Sequence, residues 1–383
     1  MIDLQNSEIL FAMTIFLKDF NLNLYNKDFK KGNAILEINL KKITKNYLFL
    51  SKFNKPGFTA AVVKADAYGC GVNEVCPILS KSGCNFFFVA KFEEGLELRK
   101  YLPKSKTIAI FDGYLNPTNS LWKENNLVPV CNTVDQVLNA SKDNILFMLH
   151  IDTGMNRLGL SCKEAKILFE SSKLNFKKLI LILSHFACSD NKNSKLNELQ
   201  LNSFSSFNKY YPKITRSLSN SHGIFLKNKL KDEVSRPGIA LYGYVNDDNK
   251  INLDETINLY APILQIRYPN IGETVGYDAI YKITKKTKLG VLGVGYADGL
   301  KRCINKRKKL KVGEFNIPIL GRVSMDTIVV DLSLIPNKLL DKINHIPLID
   351  NKYSIKNMAK DCSTIPYEIM TSFGKRLKRV YIK

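Results

Sequence analysis

Acidic side chains are scarce in this chain of 383 residues: 35 Asp and Glu stand against 57 Lys and Arg, a formal net charge of +22. Such a surplus raises nucleic-acid binding as a function class. The lysines are scattered along the whole chain beside abundant Asn and Ile, however, and form no binding stripe. The small basic clusters at 306–311 and 375–379 lack the interleaved aromatics of a single-strand groove. No nucleic-acid partner is expected, and the positive field instead favours anionic cofactors and substrates. Histidine is rarer still, with four residues and no H-E-x-x-H, so no metal site is expected. None of the eight cysteines forms a C-x-x-C pair, which excludes a zinc ribbon and a disulfide framework on spacing and points to reduced thiols. Long apolar runs are also missing. The run from Ile9 to Leu17 follows Asp3 and Glu8 with no Lys or Arg before it. It is far shorter than a membrane span and lacks the flanks of a signal peptide. No membrane partner and a cytoplasmic location are the expectation.

What is present is core: 45% of residues are hydrophobic, enough for two domains or a barrel with a smaller companion. Residues 1–33 read as an N-terminal extension ending in a polar linker. Residues 34–257 repeat one theme, a short apolar run followed by a helical pattern. Strands are expected at Ala34–Leu40, Phe58–Lys64, Phe86–Ala90, Thr107–Phe111, Val128–Cys131, Ile145–Ile151, Leu179–Ser184, Ser217–Asn220 and Ile239–Tyr242. Helices are expected near 72–82, 93–100, 163–171 and 195–210. Continuous apolar strands alternating with helices signal a parallel sheet buried on both faces, and about eight units in this length fit an α/β (β/α)8 barrel of the TIM type. From 258 to 383 the apolar segments alternate and are cut by turn signals, which predicts a β-rich C-terminal domain.

The most informative segment is Ala61-Val62-Val63-Lys64-Ala65-Asp66-Ala67-Tyr68-Gly69, an apolar strand running straight into a lysine. Active sites of parallel barrels lie at the C-terminal strand ends. Desolvation there lowers an amine's pKa and makes it a usable nucleophile for a Schiff base. A strand-end lysine that merely snorkels to solvent fits this segment equally well.

This segment resembles the cofactor-lysine motif of the alanine racemases, V-V-K-A-N-A-Y-G-H-G, with Asp66 in place of Asn and Cys70 in place of His. The resemblance continues in order through Glu93-Glu94-Gly95, Asp152-Thr153-Gly154-Met155-Asn156-Arg157, Ser184-His185-Phe186, Asn220-Ser221 and Arg236-Pro237-Gly238-Ile239. It extends through Gly276-Tyr277, Gly295-Tyr296-Ala297-Asp298-Gly299, Ser324-Met325-Asp326 and Pro366-Tyr367-Glu368. The resemblance implies a pyridoxal 5'-phosphate enzyme that interconverts L- and D-alanine for peptidoglycan synthesis. It further implies a homodimer with shared active sites. In that family's terms, Lys64 carries the cofactor as a Schiff base and is one catalytic base, while Tyr277 from the partner chain is the other. Two bases on opposite faces of a planar intermediate are a direct solution to racemisation.

The resemblance also implies that Arg236 meets the pyridine nitrogen, and that Tyr68, Ser221, Tyr367 and the backbone at Gly238 and Ile239 hold the phosphate. His185 and Asn220 give support, His185 bonding Arg236. Arg157 reaches the cofactor and the substrate carboxylate. Met325 and Asp326 belong to the substrate site, and Tyr296 gates its access channel. An arginine at the ring nitrogen stays charged and only donates, which argues against a barrel decarboxylase. The β-rich half with Tyr277 and Tyr296 argues against a non-catalytic pyridoxal-phosphate carrier. A broader amino-acid racemase is the same-fold alternative. One departure stands out: many family members carry a carbamylated lysine seven residues before the Arg157 position, where this chain has His150. Arg157 is therefore expected to be oriented by a bound anion such as chloride, or by another acceptor.

Overall fold

The structure, a computed structural model, describes residues 33–115, 119–171, 176–210, 212–245, 251, 253–307 and 309–383. The extension expected at 1–33 lies outside these residues except for Asn33. The chain forms two compact units, one of Asn39–Thr256 with Lys383, the other of Ile257–Ile382 with residues 33–38.

In the first unit the longer helices bury an apolar stripe, and several are held at the start by a capping side chain. Helix α1 (Leu40–Phe53) buries Leu40, Ile43, Tyr47 and Leu50, and Asn39 caps it by accepting the Lys42 N–H at 2.9 Å. It leads to β2 (Phe58–Thr59) and β3 (Ala61–Val62), which run on as one strand position. Helix α2 (Val72–Lys81), β4 (Phe86–Val89), helix α3 (Phe92–Arg99), β5 (Thr107–Ile110) and β6 (Leu127–Cys131) follow. Then come β7 (Phe147–Asp152), β8 (Leu160–Ser161), β9 (Leu179–Leu183), β10 (Thr215–Ser217) and β11 (Val234–Ser235). Strands β3, β4, β5, β6, β7, β9 and β10 lie side by side in parallel, and β11 pairs in parallel with β2. Backbone bonds close the ring: Ala60 N–H to Ser235 O, Val62 N–H to Pro237 O and Arg236 N–H to Ser219 O. The result is a (β/α)8 barrel whose strands are near-continuous apolar runs because both faces are covered.

Four expected elements differ, the strand expected at Ser217–Asn220 forming instead over Thr215–Ser217. The strand at Ala34–Leu40 forms as β1 (Ile35–Asn39), but pairs antiparallel with a strand of the second unit rather than joining the barrel. Its mixed sequence, Ile-Leu-Glu-Ile-Asn, alternates as an antiparallel strand does. Ile239–Tyr242 is a 3-10 turn, not a strand, because Gly238 and the left-handed Gly243 bracket it. The helix expected at 195–210 is α-helical only over Lys195–Ser205 and tightens to 3-10 beyond.

The second unit is β-rich. One sheet has the order β16 (Lys309–Val312), β17 (Phe315–Leu320), β18 (Ile328–Asp331), β15 (Leu289–Leu292), β12 (Ile257–Arg267), β1 and β20 (Lys378–Ile382), with β19 (His345–Ile349) also on β12. A small hairpin of β13 (Thr274–Val275) and β14 (Tyr281–Lys282) packs through Val275 and Ile283 against Leu289 and Leu320. Cys303 and Cys362 are joined as a disulfide, against the expectation of eight reduced thiols. They lie 59 residues apart, so no sequence spacing signals that folding brings their Cα atoms to 5.1 Å. No described helix is long and apolar enough to cross a membrane.

Candidate active site

Lys64 follows β3 at the C-terminal mouth of the barrel and is half-buried. The next four residues wind the wrong way: Ala65, Asp66, Ala67 and Tyr68 have φ of 52°, 54°, 53° and 57°. A left-handed conformation costs an L-residue about 1–2 kcal/mol, so such a turn persists only where its surroundings hold it. The Gly69 N–H bonds Ala65 O and the Gly71 N–H bonds Asp66 O. Asp66 Oδ1 accepts the Val72 N–H at 2.8 Å, and Glu94 Oε1 accepts the Ala65 N–H at 2.7 Å. The Lys64 amine lies 5.9 Å from the centre of the Phe111 ring, which stacks on Phe88. Burial and then the Arg157 charge push its pKa down, against the pull of Glu94 and Asp112. The desolvated strand-end lysine read from the sequence is what the fold builds.

Arg236 leaves the end of β11 fully buried, with its guanidinium 6.0 Å above the Phe88 ring. It donates to Ser217 Oγ and to Ser184 O. Burial lowers its pKa to about 10, with Glu233 opposing, so it stays charged at neutral pH. Glu233 is itself buried and accepts from the Leu218 and Ser219 N–H groups at 2.7 and 3.0 Å and from the Ser219 hydroxyl.

His185 takes a different partner from the one expected. Its Nε2 accepts from Asn220 Nδ2 at 3.4 Å, and Arg236 spends its two side-chain bonds on Ser217 and Ser184. The Asn220 amide is held in that sense because its Oδ1 accepts from Ser189 and from the Gly223 N–H. Burial and the charges of Arg236 and Arg157 keep His185 neutral.

His150 is fixed in the same manner. Asn132 Nδ2 donates to Phe111 O at 2.7 Å, which leaves Asn132 Oδ1 to accept from His150 Nδ1 at 2.9 Å. His150 Nε2 therefore keeps its lone pair. Burial first, then Arg236, lowers the His150 pKa to about 4. The neutral ring brings no negative charge to this place before the Arg157 loop. Stability should respond to pH accordingly. The unfolded ring binds a proton near pH 6.5 and the folded ring only near 4, so stability is fully present above pH 6.5 and is lost as pH falls towards 4. The loss approaches about 3 kcal/mol at the acid end of that window. Thermal midpoints between pH 7 and pH 4.5 should fall less steeply for His150→Gln than for the unchanged protein. Equal slopes would remove His150 from the account.

Arg157 sits on the exposed loop after β7. Asp152 Oδ1 folds that loop by accepting the Gly154 and Met155 N–H groups, each at 2.8 Å, and Thr153 meets Ser184 at 2.8 Å. A Cβ on Gly159 would come within 3.2 Å of two His150 ring atoms, so the loop lies on the imidazole.

Tyr68, Ser221 and Gly238 come together at the opposite side of the turn. Ser221 Oγ accepts the Gly238 and Ala240 N–H groups at 2.9 and 3.2 Å, which leaves its own proton to donate. A Cβ on Gly238 would lie 2.1 Å from Tyr68 Oη, so only glycine allows this approach. Ile239 heads the short turn that follows and is buried.

The remaining expected residues belong to the second unit. Tyr277 follows Gly276 and is 69% exposed. Tyr296 and Met325 are brought side by side by backbone bonds, Tyr296 N–H to Ser324 O and Ala297 N–H to Met325 O. A Cβ on Gly295 would meet Met325 O at 2.2 Å. Asp326 and Asp298 share Arg376, at 2.8 and 3.0 Å. Tyr367 lies on the short helix Pro366–Ser372.

Both halves of the chain match models of one family: residues 38–246 match the alanine racemase N-terminal domain and residues 256–381 the alanine racemase C-terminal domain. The chain belongs to the alanine racemase family. It is 34% identical over 375 residues to the alanine racemase of Brucella abortus (strain 2308), covering 92% of this chain and 94% of that one. It is 35% identical over 356 residues to that of Rickettsia akari (strain Hartford), covering 91% and 99%. Among solved structures, alanine racemase from Bartonella henselae, with covalently bound pyridoxal phosphate, superposes with a TM-score of 0.83 at 34% identity, covering 91% of this chain and 99% of that one. The biosynthetic alanine racemase of Pseudomonas aeruginosa gives 0.81 at 28%, covering 91% and 99%.

Glu94, Phe88, Phe111, Asn132, Ser217 and Glu233 were not singled out as site residues from sequence. Glu94 alone left a local signal, an acid four residues after the strand-end Ala90 at the start of a helix. The others owe their roles to contacts across the barrel.

Proposed function

We propose that this alanine racemase interconverts L- and D-alanine with Lys64 and Tyr277 as its two bases, in the cytoplasm, as a homodimer that shares its active sites. The observation that carries the reading is Lys64, a half-buried amine with a depressed pKa at a barrel strand end and over the Phe111 ring, which stacks on the Phe88 ring that lies under the charged, buried Arg236. The residues present fit pyridoxal phosphate. Lys64 supplies the amine, the Gly238 approach and the spare Ser221 proton suit a phosphate, and Lys64, Arg157 and Arg236 give the pocket a positive field. When bound, the cofactor withdraws electrons from the substrate's Cα–H bond and makes that proton removable.

The chain's own groups do the rest. Lys64, with its lowered pKa, is suited to take or return a proton at neutral pH. Arg157 is suited to hold the substrate carboxylate, and Arg236 to donate to the ring nitrogen without giving up a proton. Tyr277 supplies the opposite proton donor from a second copy. Its exposure supports that arrangement, as do the exposed apolar side chains Leu264, Tyr268, Ile271, Ile280 and Met325 of the same unit. Tyr296 and Met325 are suited to narrow the pocket around a small side chain, and Tyr367 to complete the phosphate site.

Incubation with L-alanine in heavy water, followed by chiral analysis, tests the reading. Racemic alanine carrying deuterium at Cα is expected. Cofactor-loaded protein that exchanges nothing on alanine overturns it, and faster turnover of serine or lysine would favour the broader racemase.

A further inference from the structure

The left-handed turn carries both Lys64 and Tyr68, and it is costly. Asp66, Gly69 and Gly71 brace it from within the same segment. Glu94 braces it from outside. In the first turn of α3, it accepts the Ala65 N–H on Oε1 at 2.7 Å. Its Oε2 accepts the Ala90 and Lys91 N–H groups at 2.8 and 3.1 Å. One carboxylate thus joins the end of β4 and the head of α3 to the residue that follows Lys64.

We infer that Glu94 is a positioning residue for racemisation: by holding the Ala65 N–H from the neighbouring β/α unit, it keeps the turn wound so that Lys64 and Tyr68 face the site together. The inference rests on the reading of Lys64 as the cofactor-bearing amine. Both carboxylate oxygens are acceptors, so glutamine is no conservative replacement. An amide offers one acceptor and would set its own N–H groups against those of Ala90 and Lys91. The Glu94 charge also opposes Arg157 at the Lys64 amine, which gives a second, independent signature.

Glu94→Gln, Glu94→Ala and Glu94→Asp are compared with the unchanged holoenzyme. Hydrogen exchange at amides 65–69, with β7 as internal control, reads the turn. The pH midpoint of amine labelling at Lys64 in the apoenzyme reads the charge. Gln and Ala should each lower kcat about tenfold or more, with KM for alanine little changed, and should speed exchange at 65–69 about tenfold, the release of one left-handed residue's strain. Both should lower the Lys64 midpoint. Asp keeps the charge but falls about 1.5 Å short, so it should speed exchange and leave the midpoint in place. Adding Ala65→Gly to Glu94→Gln should recover at least about threefold in kcat, because glycine accepts the left-handed conformation without the penalty.

A Glu94→Gln enzyme that matches the unchanged one in turnover and exchange overturns the inference. Faster exchange with unchanged turnover also overturns it, as does failure of Ala65→Gly to rescue. Should Glu94→Gln fail to fold, Asp carries the test on the same readouts. Unchanged protein that binds pyridoxal phosphate nowhere on Lys64 overturns the proposed function instead, while the exchange data still decide whether Glu94 holds the turn.

Discussion

Lys64→Ala should lower racemisation by about 10⁴-fold or more and remove the visible absorbance of the cofactor-loaded protein. In the proposed reaction the side chain has two duties: as a nucleophile it anchors the cofactor, and as a base it moves one of the two protons. General acid–base catalysis alone accounts for about 10²–10⁴-fold. The fold should survive the change. The charged amine is disfavoured by burial and by Arg157, so its removal relieves a cost and thermal stability should hold or rise slightly. Absorbance spectra, turnover with alanine and a melting curve check the three parts. A Lys64→Ala protein that keeps the absorbance and more than about one per cent of its activity would falsify the assignment.

Tyr277→Phe should lower racemisation by about 10²–10⁴-fold while leaving the cofactor bound. The variant keeps the Lys64 base and loses the opposite one. It should still exchange the Cα proton of one enantiomer with heavy water, returning deuterium to the same face without inversion. Loss of exchange from both enantiomers would mean that Tyr277 acts on binding instead.

The proposed shared-site arrangement gives the same variant a second use. Mixed with Lys64→Ala at equal concentration and allowed to exchange subunits, it should regain about a quarter of full activity. Half of the dimers are then mixed, and each mixed dimer has one site with both defects and one with neither. If Tyr277 served the Lys64 of its own chain, mixing would restore nothing.

The sequence was legible where function and local structure use the same residues. The run Ala61–Lys64 is at once a buried strand and the carrier of the amine, and Asp152-Thr153-Gly154 is at once a loop signal and the device that folds the Arg157 loop. It was misleading where local pattern and tertiary partner diverge. Ile239–Tyr242 reads as a strand by composition, yet two flanking glycines turn it into the 3-10 segment beside Ser221. The resemblance pairs His185 with Arg236, yet His185 bonds Asn220 while Arg236 donates to Ser217 and Ser184.

The sequence determined the barrel with its β-rich companion by pattern, and the family by its resemblance to the alanine racemase motifs. Each of those is a local signal, or a sum of local signals. Only the tertiary structure decided which sheet β1 joins, the pairing of Cys303 with Cys362, the tautomers of His150 and His185, and the bond from the Ala65 N–H to Glu94. The reason is common to all of them. A hydrogen bond or disulfide between residues far apart in the chain is chosen by distance and direction in space, and neither is written in the neighbours of a residue along the chain. Lys64 shows both sides: its place at a strand end was plain in the sequence, and the wrong-handed turn that aims it was not.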